Sequence, residues 1–265
     1  MTGTRRKPES NIAAVTMVYS SPALLKKWIE HYGSIFGDRS LYVISHGFSE
    51  DHIEISKSCN HITIPRNFSS SIDQQKSGIL SNFCALLLNV YDGVVCGDVD
   101  ELIAPHPDTG RNLEEYIQAL PDKGVFAPVG FNVMPKLSYY DGPTLDLDRP
   151  ILAQCNRVSL ASNFSKPSIL KRPARFAPGN HWLIGEDFTV DDNLFLFHLK
   201  YLALNGEHFY DEVARDVVDY AQESGRPIRQ KFWSRGMDGL RSIASRLDQG
   251  DDEPVRNPRE EARQL

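Results

Sequence analysis

The stretch Gly93-Val94-Val95-Cys96-Gly97-Asp98-Val99-Asp100-Glu101-Leu102 decides how the chain is read. A short apolar run of this kind is a buried strand. Three acids follow it directly, and a dry core does not tolerate carboxylates unpaired. The strand therefore ends at a rim where something polar or cationic meets them. Alternation along an extended chain places Asp98 and Asp100 on the same side. Two carboxylates at such an edge suit a hard divalent cation that also holds substrate phosphates. The bare Asp-x-Asp pattern carries little by itself, because it recurs at Asp146-Leu147-Asp148. That second copy follows the turn residues Tyr139-Tyr140-Asp141-Gly142-Pro143 and reads as a solvated loop. The competing reading of Asp98 and Asp100 is a pair of acids that cap or charge an exposed loop.

Working outward, residues 12–19 form an apolar, β-branched run that predicts a strand. Ser21-Pro22 then starts a helix, with Leu24, Leu25, Trp28, Ile29, Tyr32 and Ile35 on one face. A strand at 41–45, a short helix at 49–59 and a strand at 61–64 follow. A long helix over 70–90 carries Ile79, Phe83, Leu86 and Val90 as its expected core stripe. With the strand at 93–96 this rhythm predicts an α/β fold: a mostly parallel, Rossmann-like central sheet flanked by helices. In such sheets the ligand crevice lies beyond the carboxyl ends of the strands. From Pro105 onward the texture changes. Asn112 and Glu115 predict a capping box for a helix ending near Leu120. Strands are expected at 124–133, 151–158, 168–171 and 194–199. Phe209, Val213, Val217 and Tyr220 mark an amphipathic helix. The expected organisation is a flexible 1–10, an α/β domain over 11–204, C-terminal helices over 205–249 and a polar, disordered tail over 250–265.

Of the 265 residues, 41% are hydrophobic and 24% charged, which excludes a fibrous or wholly disordered chain. The formal net charge of −6 argues against a protein built to grip nucleic acid phosphates. No apolar run of about 18 residues spans a bilayer, and no secretory apolar core follows the start. Cys59, Cys84, Cys96 and Cys155 lack paired spacing and read as thiols in a reducing compartment. The expected address is the cytoplasm. Residues 226–247 hold six Lys/Arg against one acid, with Phe232, Trp233 and Leu240 among their apolar partners. That asymmetry suggests peripheral docking on an anionic membrane at its inner face; the rival reading is a helix pair with its charges in water.

An apolar strand ending Asp98-Val99-Asp100-Glu101, well downstream of Val15-Thr16-Met17-Val18-Tyr19, resembles the nucleotide-sugar glycosyltransferases of the GT-A fold. The likeness is closest to the family-2-like branch in which Asp-x-Asp is followed by Glu and a hydrophobic residue, here Leu102. Trp28-Ile29-Glu30-His31-Tyr32 is similar to that branch's first helix. His46-Gly47-Phe48-Ser49-Glu50-Asp51 stands where the branch has a base-contacting turn, with His46 in place of its usual acid. Phe197-His198-Leu199-Lys200-Tyr201 resembles the late strand that carries a metal-binding His.

The resemblance implies a metal-dependent glycosyltransferase moving a sugar, with inversion, from a nucleotide-diphosphate donor to a hydroxyl on a glycan or lipid-linked acceptor. Mn²⁺ or Mg²⁺ would sit on Asp98, Asp100 and His198, although a lone His on an apolar strand also reads as a core residue. Thr16, Val18, Ser49, Asp51, Asp98 and Val99 would hold the nucleotide sugar. Lys76 opens the long helix, where it either reaches a phosphate or points into solvent. His181 and Trp182 form a loop in which an aromatic ring can stack on a sugar. Lys166, Lys171, Arg172 and Arg175 make an acid-free stretch that either steers an anionic substrate or is a solvated face. Asp187, then Glu186, are the expected bases for the acceptor hydroxyl, with Asp191 and Asp192 as competitors in the same loop. Two other readings stand beside this one. A metal-dependent nucleotidyltransferase or phosphohydrolase would use the same acids, but no Gly-rich Walker loop is present. A non-catalytic sugar- or nucleotide-binding module would share the scaffold.

Overall fold

The structure is a computed structural model that describes residues 10–66, 71–135, 146, 149–201, 209–225 and 242. The expected basic docking stretch at 226–247 lies outside the described residues apart from Ser242, as do the tail and Asp148 of the second Asp-x-Asp.

The first half follows the expected alternation. Strand β1 (Ile12–Val18) is buried at all seven positions. It leads to α1 (Pro22–Phe36), β2 (Leu41–His46), α2 (Glu50–Ile55), β3 (Asn60–Ile64), α3 (Ile72–Leu87) and β4 (Gly93–Cys96). These four strands pair in parallel in the order β3-β2-β1-β4. Helix α1 lays Leu25, Trp28, Tyr32 and Phe36 on one face of the sheet, against Ile12, Ala14 and Val43. Helix α3 covers the other face, against Ala13, Val15 and Met17. Its buried stripe is Leu80, Cys84 and Leu87, whereas Leu86 and Val90 are 60% and 70% exposed. The stripe is thus turned by about one residue from the expected one. Ile79 and Phe83 pack at the margin of this core, because a 3.6-residue period fits two neighbouring stripes and only packing chooses between them. Ser21 precedes α1, but it sits in the left-handed region at φ 59° and its side chain makes no capping bond.

Beyond β4 come β5 (Glu101–Pro105), α4 (Leu113–Ala119), β6 (Val125–Pro135), β7 (Cys155–Leu160), β8 (Ile169–Leu170), β9 (Thr189–His198) and α5 (Phe209–Ser224). The Asn112–Glu115 capping box starts α4 as expected. Residues 151–153 form a tight 3-10 turn, so β7 begins four residues later than the strand expected at 151. The sheet continues β4-β8-β6-β9-β5, with β7 on β6. It is mixed: β6 and β9 are parallel, while β4–β8, β6–β8, β5–β9 and β6–β7 are antiparallel. The mostly parallel sheet expected from the first hundred residues is corrected here. The β-α-β alternation that makes neighbouring strands parallel stops at β4; among the described residues, α4 is the one α-helix between later strands. The fold is α/β with a mixed nine-stranded sheet flanked by helices. Among the described residues, no helix is long and apolar enough to cross a membrane.

The turn at 161–164 comes very close to strand β6. A Cβ on Gly130 would lie 2.5 Å from the carbonyl carbon of Phe164 and 2.7 Å from the Ala161 oxygen. Both are backbone atoms that cannot swing aside. Gly130→Ala should therefore destabilise the fold by about 1–3 kcal/mol, as overpacking does. A fall in the urea midpoint at unchanged slope is the expected reading; an unchanged midpoint would show that the 161–164 turn yields freely.

Candidate functional site

Strand β4 stops at Cys96, and the chain turns at Val99-Asp100, closed by Glu101 N–H donating to the Asp98 carbonyl at 3.1 Å. The two aspartates therefore do not share one side of an extended chain. Asp98 is taken by lysines: Lys76 Nζ lies 2.5 Å from Oδ1 and Lys166 Nζ 3.3 Å from Oδ2. Lys166 is 2% exposed and also pairs with Glu101 Oε1 at 2.7 Å, Glu101 itself being 1% exposed. The other Glu101 oxygen accepts the Asp98 N–H at 3.0 Å. Burial alone would raise the Asp98 carboxyl, but Lys166 and Lys76 hold it well below the usual carboxylate range. For Glu101 burial wins, and its carboxyl is raised despite Lys166. Tyr32 Oη donates to the Glu101 carbonyl and accepts from Ile103 N–H, tying the start of β5 to α1.

Asp100 turns the other way. Its Oδ2 lies 3.2 Å from Nε2 of His198, and the imidazole draws the Asp100 carboxyl below its ordinary value against the effect of burial. Strand register produces this meeting: His198 at the end of β9 is opposite Glu101 on β5 and Asn132 on β6. His198 Nδ1 lies 2.9 Å from the Asn132 side-chain amide, which orients the ring so that Nε2 faces Asp100. Phe164 stacks on the His198 ring at 3.7 Å between centroids and 24° between planes. Ligand atoms of Asp100, Glu101 and His198 lie within 4.8 Å of one another. This oxygen and nitrogen donor set fits Mn²⁺ or Mg²⁺. Asp98, expected as a ligand, lies outside that group, and its two oxygens meet Lys76 and Lys166.

The nucleotide candidates are placed unevenly. Thr16 and Val18 are 0% and 1% exposed, so their side chains belong to the core rather than to an open surface. Ser49 caps α2, its Oγ accepting from His52 N–H at 3.3 Å, and Asp51 is exposed in the same turn. Val99 packs against the α1-side core. Burial, then Arg66 and Lys76, push the His46 imidazole down to about 4. His52, to which the sequence alone assigns no role, is buried, accepts from Ser45 Oγ at Nδ1, and donates from Nε2 to the carbonyl of Ser20. Ser20 and Ser21 are both left-handed, so His52 anchors a turn at the carboxyl end of β1 that side-chain-bearing residues rarely adopt. His181 Nδ1 donates to the Asn163 carbonyl at 2.7 Å, and its ring meets Phe164 and Trp182. Burial and then Lys166 lower this imidazole to about 4.

The expected bases are not brought to the cluster. Thr189 opens β9 opposite Phe126, while His198 is opposite Asn132, six residues along β6. At about 3.3 Å per residue, roughly 20 Å of strand separates the two ends. Glu186 and Asp187 precede Thr189, on the far side. Glu186 is ion-paired to Arg172. Asp191 and Asp192 lie within β9 rather than in a loop, and Asp191 accepts from Tyr116 Oη at 3.0 Å. The basic stretch divides as well. Lys166 is the internal cation, Lys171 bonds Asp122 and the Leu120 carbonyl, and Arg172 holds Glu186.

Compared with known proteins, the chain matches no protein-family model, and no curated protein matches it.

Removing one partner of a buried ion pair strands the other, so Lys166→Met should cost about 3–5 kcal/mol in urea unfolding; a cost below about 1 kcal/mol would mean that Glu101 does not depend on it. His181 titrates near 6.5 in the unfolded chain but at about 4 when folded. Between those values the unfolded chain binds more protons, so stability must fall as pH drops through the window. The His181→Gln midpoint should decline less steeply than the parent's between roughly pH 7 and 4.5; parallel declines would show that this imidazole is not the sensor.

Proposed function

We propose that the chain is a metal-dependent glycosyltransferase that moves a sugar from a nucleotide-diphosphate donor to a hydroxyl of a glycan or lipid-linked acceptor. The observation that carries this reading is the grouping of Asp100, Glu101 and His198, with Asp100 Oδ2 3.2 Å from His198 Nε2, beyond the carboxyl end of β4. Asp100 and His198 would hold Mn²⁺ or Mg²⁺, with Glu101 beside them. When bound, such an ion stabilises the charge that develops on the departing diphosphate. Asn132 holds the His198 ring through Nδ1, so that Nε2 faces Asp100. Lys76 extends from α3 to Asp98 with 30% of its side chain exposed, so it is the cation at the cluster that donor phosphates can reach.

His181 takes the role first expected of Asp187. With Nδ1 donated to the Asn163 carbonyl, its Nε2 is the acceptor. An imidazole lowered to about 4 is neutral near pH 7 and has the basicity of a carboxylate. The acceptor oxygen attacks the anomeric carbon as the bond to the diphosphate breaks, and the hydroxyl proton passes to His181 Nε2.

Titration with nucleoside diphosphates, with and without Mn²⁺, tests the reading. Binding should require the metal, and Asp100→Asn should keep the fold yet weaken that binding by at least about tenfold. Unchanged Mn²⁺-dependent affinity in the variant would sink the assignment, and steady phosphate release from the donor would point to a phosphohydrolase instead. His181→Gln should leave nucleotide affinity intact and lower turnover by about 10²–10⁴-fold. Full turnover in that variant removes His181 from the chemistry.

A further inference from the structure

Gly78 lies in the interior of α3, where glycine costs roughly 1 kcal/mol relative to alanine. A Cβ placed there would meet no atom within 4 Å. Gly78 is exposed and stands in the wall of an open surface pocket of about 200 Å³ between α3 and the 175–184 segment, whose Gln74, Asn82 and Arg175 are exposed as well. Its polar lining comes from Gln74, Ser77, Asn82 and Arg175, and its apolar side from Phe176 and Ile184. The neighbouring Ser81 hydroxyl is fully used, accepting from Phe176 N–H at 2.9 Å and donating to the Ser77 carbonyl at 2.6 Å. The Ser77 hydroxyl is 2% exposed and has no partner among the described residues. The side chains of Gln74, Asn82 and Arg175 make no hydrogen bond or ion pair among the described residues. Arg175 is also what remains of the acid-free basic stretch, since Lys166, Lys171 and Arg172 are all neutralised by acids.

We propose that this pocket binds a carboxylate-bearing monosaccharide, a sugar of the uronate type. The guanidinium fork of Arg175 matches a carboxylate geometrically. One unpaired cation matches one negative charge, which selects a carboxylate over a phosphate dianion. Gln74 and Asn82 supply the neutral donors and acceptors that ring hydroxyls need, while Phe176 and Ile184 face the ring's C–H edges. The volume is below the roughly 300–1,000 Å³ of sites for drug-sized ligands, so it suits a single sugar unit. The site stands apart from the cation reading of Asp100 and His198 and does not depend on it.

Calorimetric titration with glucuronate, glucose and glucose 6-phosphate tests the proposal, in the full chain and in two variants. Glucuronate should bind, and glucose should bind at least about tenfold more weakly, as expected for losing a charged hydrogen-bonding pair. Arg175→Gln, at an exposed position, should weaken glucuronate by a similar factor. Gly78→Leu should abolish glucuronate binding by filling the space, while Mn²⁺-dependent nucleotide binding is unchanged. Melting curves establish that both variants are folded; if Gly78→Leu is not, Arg175→Gln decides. No glucuronate binding up to about 10 mM, a weakness beyond any specific site of this design, overturns the proposal. So does equal binding of glucose, tighter binding of glucose 6-phosphate, or full glucuronate affinity in Arg175→Gln.

Discussion

Burying the Lys166 ammonium between Asp98 and Glu101 is the interaction on which the second half of the molecule depends. An ion taken out of water costs several kcal/mol, and only well-placed opposite charges offset it. Lys166 must therefore arrive from a direction that meets both carboxylates at once. Strand β8 does this by running antiparallel between β4 and β6, so that Ile169 lies opposite Val95 and the residues before it overshoot to the level of Asp98. The Ser168 carbonyl accepts the Cys96 N–H at 2.8 Å, which fixes that overshoot. The mixed character of the sheet and the charge balance of the acid loop are two views of one arrangement.

A second meeting depends on this first one. Phe164 stands two residues before Lys166 and stacks on His198, and the turn that carries it fits against β6 only because residue 130 has no side chain. The imidazole is thus held on three sides, by Phe164, by Asn132 and by Asp100. A ring fixed in this way loses little freedom when its Nε2 is engaged.

The first hundred residues were legible because their helices and strands alternate with uninterrupted apolar periods. The capping box at Asn112 was legible because both its partners are local. The acid loop was found for a sound reason, since three carboxylates after a buried strand demand partners. Its shape was not found, because alternation holds only while the chain stays extended and it turns at Val99. Lys166 looked like one cation in a surface stretch, since nothing local reveals acids 65 and 68 residues away. Asn132 left a fainter trace, a polar residue among the apolar positions of β6. The misplaced bases have the same origin. Distance along the chain put Asp187 near the motif, while the register of β9 on β6 carries it to the other end of the strand.

These partners appear along the chain in an order that shapes how the molecule is made. Synthesis delivers β1 to β4 and the acid loop within the first 101 residues, but Lys166 and His198 come much later. Until they do, Lys76 alone stands against three carboxylates. A chain truncated before residue 166 can pair its parallel strands yet lacks the cation that lets Glu101 be buried. The loop must then stay open to water, and with it the sheet edge that β8 will cover. Contacts between residues so distant are the slow ones to form. Completing the acid loop therefore requires the chain to bring residues 166 and 198 back to a motif that ends at residue 101.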